Sequence, residues 1–77
     1  MRQIDVLRAL LASGEFHHAT YRNQGTVWEG LHFYRRSESG FRGYDHAGCV
    51  GKNDPDLDAA HDLVAHTGIS VGCYGGG

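Results

Sequence analysis

The stretch EFHHATYRNQGTVWEGLHFYRR, residues 15–36, decides the fold because it reads as two alternating runs around a turn. Apolar and polar residues alternate over residues 15–23 and again over residues 26–36, which is the pattern of half-buried strands. The segment 23–25, Asn-Gln-Gly, forms a compact turn signal between them. The stretch also holds five of the eight Phe, Trp and Tyr residues and three of the six histidines. It therefore predicts a β-hairpin that carries an unusual number of rings.

Two segments on either side of the strand-forming region predict helices. The first spaces its apolar residues at helical intervals, and Gly14 supplies a left-handed stop. In the second, Asp54 is the N-cap, Pro55 occupies the first helical position and Gly68 ends the helix. The apolar stripe of this second helix consists of Leu57, Ala60, Leu63 and Val64.

Two more strands complete the predicted fold. A turn around residues 37–40 leads into a third strand over residues 41–49, and a final short strand covers residues 69–74. The order predicts an α+β domain of helix, three-stranded antiparallel meander, helix and short final strand (αβββαβ), with the helices packed on one face of the sheet. Residues 1–77 are expected to form a single domain in which residues 74–77 fray.

The first five elements resemble, in their order, those of double-stranded-RNA-binding domains. That family has a lysine-rich start to its second helix, whereas this chain has Asp54, Asp56 and Asp58 there. Carboxylates at this place would repel phosphates. The resemblance therefore covers the element order and not the binding of RNA.

Composition and charge limit the classes of function. The net charge of −2 argues against a general nucleic-acid binder, and no apolar run is long enough to span a bilayer. Since there is no signal-peptide pattern, the chain is expected in the cytoplasm, with Cys49 and Cys73 as free thiols. A basic middle part precedes a cluster of aspartates, and the residues are Arg22, Arg35, Arg36, Arg42 and Lys52, then Asp54, Asp56, Asp58 and Asp62. That polarity favours docking on a charged partner.

Strand alternation sorts the rings of the hairpin onto two faces. If residues 24–25 form a two-residue loop, the face predicted to pack on the helices carries Phe16, Val27, Leu31 and Phe33. The other face carries Tyr21, Trp28, His32 and Tyr34. This second face is available to a partner if both helices lie on the first. Alternatively, a helix covers each face and all of these rings are core.

Metal binding and catalysis compete with partner binding as interpretations. His46 and Cys49 have a usable ligand spacing, and Cys73 joins them if the last strand lies near the third. A structural zinc site shows paired ligands twice, whereas this chain offers one pair, so no metal and no other cofactor is predicted. Cys49 with His46 could form a nucleophile and base, but Asp45 points to the opposite face from His46 and spoils the triad. No catalytic residue is predicted.

In size and style the chain resembles the anti-CRISPR proteins, small phage-encoded inhibitors of bacterial defence. The resemblance rests on a chain that opens with Met, forms one small domain, lacks catalytic signatures and concentrates its unusual residues on one predicted surface. It implies a non-enzymatic protein that docks on a CRISPR effector complex in the host cytoplasm. There it would block the nucleic-acid or nuclease site of the complex.

The residues predicted to contact a protein partner form three groups. The aromatic anchors are Tyr21, Trp28, His32 and Tyr34, and the basic rim is Arg22, Arg35 and Arg36. A row of carboxylates that could imitate phosphates consists of Asp54, Asp58 and Asp62. The alternative function is a small metal-binding or homodimeric structural protein that uses His46, Cys49 and Cys73. Neither nucleic acid nor a membrane is an expected partner.

Overall fold

The computed structural model describes residues 1–38 and 43–73, and of Cys73 the backbone only. The chain is an α+β protein with two helices, α1 (Gln3–Ser13) and α2 (Leu57–Ala65). Three strands, β1 (Phe16–Arg22), β2 (Gly30–Arg36) and β3 (Tyr44–Gly51), form an antiparallel meander, as predicted. Neither helix of the described part has the length and apolar character needed to cross a bilayer.

The predicted final strand is not confirmed over its whole length. Of the residues in it that the structure describes, 69–73, only Gly72–Cys73, which we call β4, pair with the sheet, in parallel with Thr20 and Tyr21 of β1. The strand order is β3-β2-β1-β4, so β3 and β4 lie at opposite edges. Part of the predicted turn at residues 37–40, the predicted start of the third strand, Arg42 and residues 74–77 lie outside the described residues.

The first helix ends as the sequence predicts, whereas the second is shorter than predicted: its N-cap is Asp56 and not Asp54, and it ends at Ala65, three residues before Gly68. After α1, Gly14 adopts a φ of 77°, and the N–H groups of Gly14 and Glu15 donate to carbonyls of the last helical turn. Before α2, the carboxylate of Asp54 accepts the N–H of Asp56 at 2.8 Å. The Asp54 carbonyl accepts the N–H of Leu57 at 3.1 Å. Asp54 therefore caps a tight lead-in turn, and regular helix begins only at Leu57.

Both helices pack on one face of the sheet, which we call the helix face. Its core joins residues of α1, α2 and the three long strands: Ile4, Leu7, Leu10, Phe16, Ala19, Leu31, Phe33, Val50, Ala60 and Val64. The predicted stripe of α2 is confirmed, because Ala60 and Val64 are fully buried and Leu57 and Leu63 pack against the core. Phe33 is the largest side chain that is fully buried.

The pairing that a two-residue loop at residues 24–25 predicts, with Arg22 opposite Val27 and Phe16 opposite Phe33, is wrong. Ala19 lies opposite Phe33 and His18 opposite Tyr34, and the register shifts between Phe16 and His18. This irregularity lets Phe16 and Ala19, three residues apart, both enter the core. Beyond it, the predicted faces of β1 are exchanged, whereas Leu31 and Phe33 of β2 occupy the helix face as predicted.

Close approach of α1 to β3 explains the glycine at position 48. A Cβ there would overlap the side-chain oxygen of Gln3 and the ring of Phe33. The Gln3 oxygen also accepts the backbone N–H of Cys49 at 3.2 Å. Gly48 is thus the point at which the first helix lies directly on the third strand.

Replacing Gly48 by alanine is therefore expected to destabilise the fold. Overlap with the buried Phe33 ring should cost about 1–3 kcal/mol of unfolding free energy. Gly51 is a matched control on the same strand, because a Cβ there meets nothing within 4 Å. Urea unfolding followed by circular dichroism should show the loss for Gly48→Ala and little change for Gly51→Ala. Equal stabilities of the two variants would contradict the packing described.

Candidate functional site

The second face of the sheet is built by side chains of the strands themselves. We call it the histidine–tyrosine face, and its rings belong to His18, His32, Tyr34, Tyr44 and His46. A register shift in β3 between the partners of Phe33 and Tyr34 brings His46 beside Tyr34 and Cys49 beside His32. As a result, three strands contribute rings to one continuous polar cluster.

Tyr34 lies at the centre of this face. It is only 5% exposed, and the His18 ring stacks on it with centroids 4.4 Å apart. Its hydroxyl accepts a hydrogen bond from Nη1 of Arg22 at 2.8 Å and lies 3.3 Å from Oγ1 of the buried Thr20. The prediction that Tyr34 is an exposed anchor is therefore wrong: the residue lies on the predicted face, but its neighbours cover it.

His32 is the second buried ring of the face, 7% exposed. Its Nε2 lies 3.0 Å from the carbonyl of Trp28, and its Nδ1 lies 2.9 Å from Nε2 of His46. A carbonyl only accepts, so His32 carries a proton on Nε2 and donates it to Trp28. In the neutral pair, Nδ1 of His32 then accepts the proton of His46. Like Tyr34, His32 was predicted as an exposed anchor and is instead buried.

Burial sets the ionisation of this face. It lowers the pKa of His46, and the nearby His32 and Arg22 lower it further because like charges repel. Burial also lowers the pKa of His18, with a further contribution from His17. The same cause raises the pKa of the Cys49 thiol. The neutral forms of these groups are therefore favoured in the folded chain.

The donors near Cys49 do not converge on a point where a metal could bind. Sγ of Cys49 lies 3.4 Å from Nε2 of His32, but His46 faces the other ring nitrogen of His32. No group of three His, Cys, Asp or Glu side chains with metal-site geometry occurs within residues 1–38 and 43–72. The backbone of Cys73 lies on β4, at the opposite edge from β3, so the predicted trio is not brought together.

The loop between β1 and β2, residues 23–29, is held by internal hydrogen bonds. Thr26 donates both its N–H and its hydroxyl to the carbonyl of Asn23, at 3.1 and 2.7 Å. The Thr26 hydroxyl oxygen in turn accepts the N–H of Trp28 at 3.2 Å. Asn23 adopts a φ of 63°, a left-handed conformation that asparagine tolerates.

Glu29 connects this loop to the rest of the fold. One carboxylate oxygen accepts the N–H of Gly25 at 2.9 Å, and the other accepts the hydroxyl of Tyr21 at 2.8 Å. The Glu29 carbonyl accepts the N–H of Lys52 at 2.9 Å. Because these side-chain contacts favour the charged carboxylate, the Gly25 N–H and then the Tyr21 hydroxyl lower the pKa of Glu29.

Val27 and Trp28 project from the fixed loop. Val27 is 89% exposed and Trp28 is 70% exposed, so the predicted core position of Val27 is wrong and Trp28 is surface, as predicted. A groove of about 270 Å³ lies beside Trp28 and is also lined by His32, His46 and Cys49. The exposed tryptophan therefore forms one wall of a concave surface.

The other predicted contact residues are spread over several surfaces. Tyr21 packs against the core of the helix face, with its ring 6.0 Å from that of His61, so its predicted place beside Trp28 is wrong. Arg22 and Arg36 belong to different grooves. Arg35 forms an ion pair with Glu15 at 2.6 Å.

The acidic row lies along α2 and its lead-in turn, on the helix side of the sheet. Asp54 is half-buried and caps the turn, whereas Asp58 and Asp62 are exposed on the helix. Asp54 also lines a groove of about 610 Å³ together with Val27 and Lys52. The start of the acidic row therefore adjoins the loop, but the row and the histidine–tyrosine face lie on opposite sides of the sheet.

The chain matches no family model, no curated protein and no solved structure.

Sequence reasoning missed three residues that shape this region: Glu29, His18 and Tyr44. The alternating run over residues 26–36 places Glu29 in a strand, although its spacing of four from Gly25 is short enough for a loop contact. Unbroken alternation from Phe16 places His18 on the helix face. Tyr44 gave no signal beyond its ring, because its contact with Tyr34 depends on the register of β3.

Tyr34 and Trp28 are both predicted as contact residues, but Tyr34 is buried and Trp28 is exposed. Tyr34→Ala should lower the unfolding free energy by about 3 kcal/mol, since it empties a packed site and removes partners of Arg22 and Thr20. Trp28→Ala should change it by less than about 0.5 kcal/mol, as expected for an exposed side chain. Chemical unfolding of both variants would measure this, and a strongly destabilised Trp28→Ala would contradict the exposed position.

The stability of the fold should fall in mild acid. The pKa values of His18 and His46 are lowered from 6.5, so as the pH falls below 6.5 the unfolded chain takes up protons before the folded chain. Stability is complete above this pH and declines below it. The carboxylates with lowered pKa values, such as Glu29, add to the loss only below their usual 4.5.

Thermal unfolding between pH 7.5 and 5 would measure this decline. The variant His46→Gln should flatten the dependence, whereas His66→Gln, at an exposed position after α2, should leave it unchanged. A melting temperature that is constant over this range would show that the histidines do not disfavour protonation in the folded chain.

Proposed function

We propose that the chain is a non-enzymatic protein-binding module whose contact surface centres on Trp28. The observation that carries this proposal is a large ring, 70% exposed, on a loop fixed by hydrogen bonds. Tryptophan is enriched among the residues that dominate binding energy at protein interfaces. Val27 beside it extends the apolar surface.

The fixed loop favours this role energetically. Ordering a mobile loop on binding costs free energy, whereas a preorganised loop has already met that cost. Here Glu29 bonds to Gly25 and Tyr21, and the carbonyl of Trp28 is held by His32. The backbone of Trp28 is thus held by hydrogen bonds to Thr26 and to His32, while its ring stays exposed.

The proposed partner is a CRISPR effector complex in the cytoplasm of a bacterial host. The resemblance in format to anti-CRISPR proteins supports it, as does the acidic surface next to the loop. Asp54 shares a groove with Val27, and Asp58 and Asp62 continue the negative charge along α2. A basic nucleic-acid site on the partner would attract such a row of carboxylates while Trp28 supplies the apolar anchor.

Two features of Cys49 support a role without catalysis. Burial raises the pKa of its thiol, which disfavours the nucleophilic thiolate at neutral pH. The nearest imidazole nitrogen, Nε2 of His32, already donates to the Trp28 carbonyl and so does not act as a base toward the thiol.

The test is a binding and target-cleavage assay with a panel of purified CRISPR effector complexes. The wild-type chain should inhibit one of them at a one-to-one ratio. Trp28→Ala should weaken binding by about 30-fold, which corresponds to the ~2 kcal/mol of an interface hot spot. Ile69→Ala removes another exposed apolar side chain, 40% exposed and distant in sequence, and should bind like the wild type.

Two outcomes would separate the parts of this proposal. If no effector complex binds, but a bacterial lysate yields a protein whose capture requires Trp28, the module stands and the CRISPR partner is wrong. If Trp28→Ala binds its partner as tightly as Ile69→Ala, the contact surface is wrong.

A further inference from the structure

A groove on the histidine–tyrosine face is separate from the exposed ring of Trp28. It has a volume of about 550 Å³ and lies over the middle of β2, between Arg22 from the end of β1 and Tyr44 from the start of β3. Its lining residues are Arg22, Asn23, His32, Tyr34, Tyr44, Asp45 and His46. Most of these side chains carry hydrogen-bond donors, and three of them are or can become positively charged.

Arg22 supplies a permanent positive charge at this groove. Its Nη1 donates to the hydroxyl of Tyr34 at 2.8 Å, which fixes the guanidinium beside the half-buried ring system. The guanidinium fork is suited to tetrahedral oxyanions, since its N–H groups lie in one plane and can bond two oxygens. A fixed arginine next to two histidines forms a local positive region in a chain whose net charge is −2.

The histidine pair can add a second charge, but only one. Nδ1 of His32 and Nε2 of His46 lie 2.9 Å apart, and a hydrogen bond between them needs one donor and one acceptor. His32 keeps its Nε2 proton for the Trp28 carbonyl. If the pair gains a proton, His46 takes it on Nδ1, keeps its Nε2 proton in the bond to Nδ1 of His32, and carries the charge.

This change reverses the polarity of the exposed His46 ring. In the neutral pair, Nδ1 of His46 is an acceptor and repels an anion. In the singly protonated pair the same atom becomes an N–H donor, and the positive charge lies on the exposed ring of His46. An anion in the groove and a proton on the pair therefore favour each other.

From this arrangement we infer that the groove binds a phosphate group, held by Arg22 and by the singly protonated His32–His46 pair. Donors reach the groove from Arg22 on β1 and from His46 and Tyr44 on β3, on either side of β2, which fits a tetrahedral group with oxygens in several directions better than a planar carboxylate. The volume exceeds that of a phosphate ion, and the half-buried ring of Tyr44 forms part of the wall. The ligand class is therefore a phosphate monoester with a flat organic group that can stack on this ring.

The other charged groups around the pair fit this inference. Arg22 faces it from β1, and Trp28 contacts it from the loop only through a carbonyl. Asp45 on β3 lines the groove, but it pairs in register with Arg35 and also lines a second groove with Arg35 and Arg36. Asp45 therefore borders two grooves that each contain arginine side chains.

The experiment is an NMR titration of the full chain with inorganic phosphate, adenosine monophosphate, adenosine and acetate. Phosphate and the nucleotide should shift the ring signals of His32 and His46, whereas acetate and adenosine should not. The signals of His61 and His66, on and after α2, provide an internal control and should stay in place. A higher affinity for adenosine monophosphate than for phosphate would support stacking of a flat organic group on Tyr44. Equal affinities for the two would overturn the stacking.

Two variants test the proposed contacts. Arg22→Gln and His46→Gln should each weaken phosphate binding by about tenfold, the effect of losing one charge-assisted hydrogen bond. Arg8→Gln removes the same charge from an exposed position on α1 and should bind phosphate like the wild type. Since His46 is exposed, its variant is expected to fold, and circular dichroism would verify this for each protein.

The coupling to a proton is tested with sulfate, whose charge is constant over the range used. Sulfate affinity should rise as the pH is lowered from 7.5 to 6, and His46→Gln should abolish this rise. A pH-independent affinity would overturn the role of the histidine pair. No shift with phosphate, or equal shifts of all histidine signals, would overturn the site itself.

Discussion

The irregularity between Phe16 and His18 in β1 is the constraint on which both faces of the sheet depend. It advances the alternation by one residue, so that Phe16 and Ala19 both reach the core. The same shift sends His18 to the other face, where it stacks on Tyr34. Without it, either the core would lose an apolar side chain or the polar cluster would lose its stacking partner.

The second face shows how a sheet can bury polar rings with its own side chains. Tyr34 and His32 are as buried as core residues, yet their polar atoms have partners in Arg22, Thr20, the Trp28 carbonyl and His46. Burial without such partners would cost several kcal/mol, roughly the stability margin of a small domain. The hydrogen bonds are therefore what allows the face to be ordered, and they also fix Arg22 beside the histidines.

The sequence predicts the elements of this fold better than their register. Gly14 ends α1 as predicted and Leu31 and Phe33 lie on the predicted face of β2, whereas Asp54 caps a turn that precedes α2 instead of the helix itself. The turn signal at residues 23–25 also marks a real turn, since Asn23 and Gly25 both have positive φ. Strand pairing nevertheless resumes only at Gly30, because Thr26 and Glu29 bond to the loop backbone. Such contacts depend on three-dimensional proximity, which alternation does not encode.

The candidate site is predicted less well for the same reason. The sequence singles out Trp28, His32 and Tyr34, but it has no means of telling which ring is covered. Exposure follows from the length of the loop, which decides which residues pair, and from the shift in β1, which exchanges the two faces of that strand.

The position of Trp28 also determines what the intrinsic fluorescence of this protein can report. It is the only tryptophan in the chain, and it lies on the surface rather than in the core. Its indole is already in contact with water in the folded state, so its emission changes little when the core opens. The same fluorophore responds when another molecule covers the loop. Intrinsic fluorescence of this chain is therefore a reporter of association, and unfolding is better followed through the backbone.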